Sequence, residues 1–97
     1  MIGAWSAILD LTTDMLSAAR NGDFDRVGAL DIERRALLDV AIATDGGFPE
    51  LLARIVACDR ELVALIAAER AHAAERLRQA RLAQAGAGTY LGVAFAR

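Results

Sequence analysis

A chain of 97 residues with 25 % charged side chains and a net charge of −2 can build one modest hydrophobic core. Its acid surplus argues against nonspecific nucleic-acid binding, which needs side chains that neutralise phosphate. One Trp, one Tyr and three Phe are few for a pocket-bearing enzyme, and a single cysteine cannot close an internal disulfide.

The start of the chain has no basic leader, and Asp10 and Asp14 interrupt its apolar run, so no signal peptide is read there. No stretch of about 18 unbroken apolar residues offers a membrane span, and the cytoplasm is the expected compartment. A single helical domain over 1–97 is predicted, with helices over about 4–21, 24–43 and 49–85 and a short tail over 86–97.

In the first helix Trp5, Ile8, Leu9, Thr12, Met15, Leu16 and Ala19 recur at i, i+3, i+4, i+7, the stripe of an amphipathic helix. Asn21-Gly22 ends it, and Asp23 is a natural N-cap for the next. In the second helix Val27, Leu30, Leu37 and Ala41 share a seam that Leu38 and Ile42 widen. Arg34 stands where that seam expects an apolar residue. The favoured reading packs its aliphatic stem at the rim with the guanidinium in water. The other reading is an interhelical ion pair that fixes register, with Asp59 or Glu69 as partner. Thr44-Asp45-Gly46-Gly47-Phe48 has the length of a turn between antiparallel neighbours and lacks the spacing of a phosphate loop.

The third helix opens on Pro49, which suits a first helical position, and is rich in alanine, leucine, arginine and glutamate. Gly86 and Gly88 are the expected stop. At about 1.5 Å per residue it is roughly 54 Å long, more than the first two helices can cover. Leu51, Ile55, Cys58, Leu62, Leu65 and Ile66 continue the apolar stripe, which thins to alanines and Leu77 beyond Glu69. Residues 1–48 carry eight acids and four arginines, whereas 49–97 carry five acids and seven arginines. Arg70, Arg76, Arg78 and Arg81 suit the negative end of the helix dipole. The apolar tail after Gly88 either folds back onto the helices or competes with a ligand for an apolar groove.

The residues of a catalytic or metal site do not gather in this pattern. His72 is the one histidine, Cys58 reads as a small buried hydrophobe, and a metal site from that pair is improbable. Asp23, Asp25, Asp31 and Glu33 are placed as caps and solvated side chains. Neither a catalytic residue nor a cofactor is assigned.

The run Leu11–Leu38 resembles the flagellar export chaperone family FliT, through Gly22-Asp23-Phe24 and the Leu30-x3-Arg34-x2-Leu37 pattern. Asp59-Arg60-Glu61-Leu62 and Leu77-Arg78 are similar to the long third helix of that family, and Tyr90 fits a tyrosine common near its end. Phe24 stands where tryptophan is more usual, and the tail is too short and glycine-rich for the fourth helix that some members carry. The resemblance implies a non-enzymatic cytoplasmic chaperone that keeps the C-terminal region of the filament-cap protein FliD soluble before type III export. Some members also bind the export ATPase complex or the master flagellar transcriptional activator.

The expected architecture is an all-α antiparallel three-helix bundle with an overlong third helix. Its surplus length is the expected groove for a client's amphipathic helix, with Leu62, Leu65, Ile66, Ala73 and Leu77 as walls and Tyr90 at the edge. For each of these the competing reading is ordinary core packing. Two other functions compete: a homodimer in which the long helix pairs with its twin, and a small all-helical chorismate mutase, faintly suggested by Leu30-Asp31-Ile32-Glu33. The mutase needs several inward basic residues, and only Arg34 has that placement.

Overall fold

The structure, a computed structural model, describes the backbone of residues 3–44 and 48–95 and the side chains of 3–43 and 48–86. It contains α1 (Gly3–Arg20), α2 (Phe24–Thr44) and α3 (Pro49–Phe95). The predicted all-α, antiparallel three-helix bundle with an overlong third helix is what the chain forms. The turn expected at Asp45, Gly46 and Gly47 lies outside the described residues.

α1 buries the stripe that its sequence marks, from Trp5 to Ala19, and packs closely along α2. The join between them is compact. Gly22, at φ 77°, ends α1 in the left-handed region, which a residue with a Cβ enters only at a cost. The Gly22 N–H donates to Ala19 O at 3.0 Å and the Asp23 N–H to Ala18 O at 2.9 Å, the paired bonds of a Schellman motif. Asp23 then caps α2, its Oδ1 accepting from the Arg26 N–H at 3.2 Å. One short Asn-Gly-Asp step thus satisfies the end of one helix and the start of the next.

Two clusters fill the bundle. Trp5, Ile8 and Leu9 of α1 meet Ala41 of α2 and Ile55 of α3. Met15, Leu16 and Ala19 meet Val27 and Leu30 of α2 and Leu62 of α3. This pairing order means that α1 and α3 run the same way while α2 runs back between them.

α3 extends to Phe95, ten residues past the end expected from Gly86 and Gly88. A glycine inside a helix costs only about 0.5–1 kcal/mol relative to alanine, whereas ending one needs a left-handed cap. Among the described residues only Gly22 has positive φ, so no such cap forms at Gly86.

The chain divides into two compact units, residues 1–66 and 67–97. The first holds α1, α2 and the start of α3 around the two clusters. The second is helical backbone from Ala67 to Phe95, with nearly all its described side chains exposed.

Candidate functional site

α3 carries two apolar stripes set one residue apart. In the first unit Ile55 and Leu62 of the inner stripe are buried, while Leu51, Cys58 and Leu65 pack partly buried against the clusters. The outer stripe, Leu52, Val56 and Val63, stays exposed, Val63 at 65 %. A step of one residue turns a helix by about 100°, so an inner stripe committed to the core leaves the outer one facing solvent.

Between α2 and α3 lies a cavity of about 460 Å³ with an apolar end at Phe24, Val27, Leu62 and Ile66. Its other end is polar and centres on Arg34. The reading that sends this guanidinium into water is overturned: the side chain is only 14 % exposed and draws on all three helices. Nη1 donates to Asp59 Oδ1 at 2.5 Å and to Thr12 Oγ1 at 3.3 Å, and Nη2 to Asp31 Oδ1 at 3.1 Å. Thr12, fully buried, passes its own hydroxyl hydrogen to Ile8 O at 2.7 Å. Arg35 Nε holds the second oxygen of Asp31 at 2.9 Å. The ion-pair reading therefore stands, with Asp59 as partner, while Glu69 pairs with Arg76.

The physical reason is desolvation. α2 cannot turn Arg34 outward without moving Leu30 and Leu37 off the core, so the buried charge is met by two carboxylates. Arg34 Nε and Trp5 Nε1 remain buried without a partner among the described residues. A guanidinium already matched by Asp31 and Asp59 is the reverse of a site for a dicarboxylate substrate, which the mutase reading requires.

In the second unit Ala74, Leu77, Arg78, Arg81, Leu82 and Ala85 bound a shallow depression of about 460 Å³. Leu77 and Leu82 are 51 % and 58 % exposed, flanked by arginines. Arg78 is held by Glu75 at 2.7 Å. That hydrogen bond keeps the Glu75 carboxyl below its ordinary value and the Arg78 guanidinium above its own. At the bundle, Arg20 grips both oxygens of Glu61 at 2.6 and 2.7 Å, which likewise raises Arg20.

The six residues expected to receive a partner are thus dispersed. Leu62 is 3 % exposed and part of the core; Leu65 and Ile66 pack half-buried against it. Ala73 and Leu77 are exposed in the second unit. The side chain of Tyr90 lies outside the described residues, as does most of the apolar tail. Sequence reasoning did not assign Val63 or Leu82 to the partner surface, although the spacing 52, 56, 63 already sets a second stripe apart from its neighbour. Among the described residues no group of His, Cys, Asp and Glu is arranged to hold a metal, and no helix is long and apolar enough to cross a membrane.

The described residues thus define an all-helical bundle whose long last helix leaves apolar side chains exposed. The family described as flagellar protein FliT matches residues 2–92, and the chain belongs to this family of flagellar export chaperones. No curated protein and no solved structure matches it.

Proposed function

We propose that this chain is a cytoplasmic chaperone that holds an amphipathic helix from the C-terminal region of the filament-cap protein FliD soluble before export. The observation that carries the reading is the exposed apolar surface of α3, where Leu77 and Leu82 stand among arginines in a helix with no core to serve. Amphipathic helices dock on such surfaces through anchors at i, i+3, i+4 and i+7. Ala73 and Leu77 supply one patch in the second unit, with Tyr90 at its far edge. Ile66 supplies another in the first unit, supported from beneath by Leu62 and Leu65.

The reading is tested by titrating the protein with the C-terminal segment of FliD from the same organism. Expected is a saturable one-to-one complex that Leu77→Asp weakens at least tenfold with helical content unchanged. Absence of binding at high micromolar concentration by a folded protein would remove FliD as the client.

A further inference from the structure

Asn21 is the only asparagine of the chain, and a glycine follows it. Asparagine is a chemically labile residue, and this setting favours loss of its amide. The backbone nitrogen of the next residue can attack the side-chain Cγ, and glycine has no Cβ to hinder the five-membered ring that forms. Asn21 and Gly22 are both exposed, and a Cβ added at Gly22 meets nothing within 4 Å, so water reaches this step freely. The pair also forms the junction between α1 and α2, and every group that holds the junction lies in the first unit.

We propose that Asn21 is a spontaneous modification site, converted by water to aspartate or isoaspartate, and that the hydrogen bonds of the junction hold the reaction back. In the first step the Gly22 nitrogen gives up its proton and bonds to Asn21 Cγ, and the Cγ–Nδ2 bond breaks to release ammonia. In the second, water adds to one carbonyl of the cyclic imide and a ring C–N bond breaks. Opening at the side-chain carbonyl gives aspartate, and opening at the main-chain carbonyl gives isoaspartate. In sum, asparagine and water become the acid and ammonia, and nothing is oxidised or reduced.

In the folded chain the attacking nitrogen is held. The Gly22 N–H donates to Ala19 O at 3.0 Å, and the Asn21 N–H is shared between Ser17 O and Ala18 O, both at 3.1 Å. An N–H donated to a carbonyl keeps its proton, and its nitrogen is not free to swing onto Cγ. The junction must open first, so the rate follows the population of the open form.

Neither product suits the junction as asparagine does. The bonds from Gly22 to Ala19 O and from Asp23 to Ala18 O both close rings that pass through residue 21. Isoaspartate adds a methylene to the main chain there and lengthens both rings. It also shifts Asp23, whose Oδ1 caps α2 at the Arg26 N–H. Aspartate keeps the main chain but sets an anion at the negative end of the α1 dipole. Asp14 and Asp23 already line the depression of about 170 Å³ that Asn21 shares with Arg26, and Arg20 is engaged by Glu61. Time spent open is thus recorded as a change that keeps the junction open longer.

The test follows the mass of fragment 21–26, which trypsin frees by cutting after Arg20 and Arg26. The full chain is incubated in native buffer and in guanidinium chloride at the same pH. The mass gain of amide-to-acid conversion on that fragment is expected at least tenfold faster in denaturant. Asp23→Ala removes the cap and leaves Asn21-Gly22 in place, so it should match the parent in denaturant and outpace it severalfold in native buffer. The converted chain, separated by its added negative charge, should unfold at a lower denaturant concentration than the parent. A fragment that stays unmodified in denaturant overturns the site. Equal rates in the two conditions, or an Asp23→Ala chain no faster than the parent in native buffer, overturn the protection by the junction. A converted chain as stable as the parent overturns the consequence. The FliD titration bears on none of these outcomes, so the two readings fail separately.

Discussion

The two units of this chain share one helix and hold it by different means. Within residues 1–66, α3 is fixed by what its inner stripe buries: Ile55 against Trp5 and Ile8, Leu62 against Met15 and Leu16. Within residues 67–97 the helix has alanine for propensity and neighbouring charges for support. Glu75 receives Arg78 three residues on and Gln79 four residues on, and Glu69 receives Arg76. The first mode is tertiary and cooperative; the second is local and small per contact. Surface that helps stability in the first unit is free for binding in the second.

The largest effect that separates them is a leucine truncated in each. Leu62→Ala removes a side chain 3 % exposed in the packed cluster, and a loss of about 2–5 kcal/mol is expected in urea unfolding. Leu77→Ala removes one that is 51 % exposed and replaces it with a better helix former, so a change within about 0.5 kcal/mol is expected. Equal losses would mean that the second unit shares a core with the first.

The buried arginine offers a smaller test. Arg34→Met strands Asp59, which keeps 38 % of its exposure and so remains partly hydrated, and leaves Asp31 to Arg35 alone. The expected cost is therefore about 1–3 kcal/mol, less than for a fully buried pair. Adding Asp59→Leu recovers much of it, because the lone carboxylate was the source. Thermal unfolding of the two variants checks this. If the double variant is the less stable, the network contributes more than charge compensation.

The bundle was legible because its information is periodic. The stripe from Trp5 to Ala19, the cap at Asp23 and the opening at Pro49 are local patterns, and each appears where it was read. The end of α3 was misjudged because glycine weakens a helix without ending it. Arg34 was misjudged because its partner Asp59 stands 25 residues away, on a helix whose register against α2 no local pattern specifies. The expected partner surface mixed two stripes. Leu62 and Leu65 belong to the inner one, Ile66, Ala73 and Leu77 to the outer, and only packing shows which of the two the core takes.

The smallest effect concerns the charges that support the second unit. The hydrogen bond from Arg78 lowers Glu75 from an ordinary value of 4.5. A carboxylate whose folded value lies below its unfolded one stabilises the folded form above the unfolded value, and loses that contribution as pH falls through the folded one. The Glu75–Arg78 pair should therefore hold the helix at neutral pH and release it as pH falls below the ordinary carboxyl value of 4.5 and through the lowered one. Carboxyl-detected NMR of the full chain should place the Glu75 midpoint below that of an ordinary glutamate, and Arg78→Gln should return it upward. Because both groups are exposed, salt should have the same effect as the substitution. A Glu75 midpoint that neither salt nor Arg78→Gln moves would mean that alanine propensity alone sustains this part of α3. The contrast with the packed unit would then be one of burial against intrinsic helix preference, with surface charge left to steer the partner.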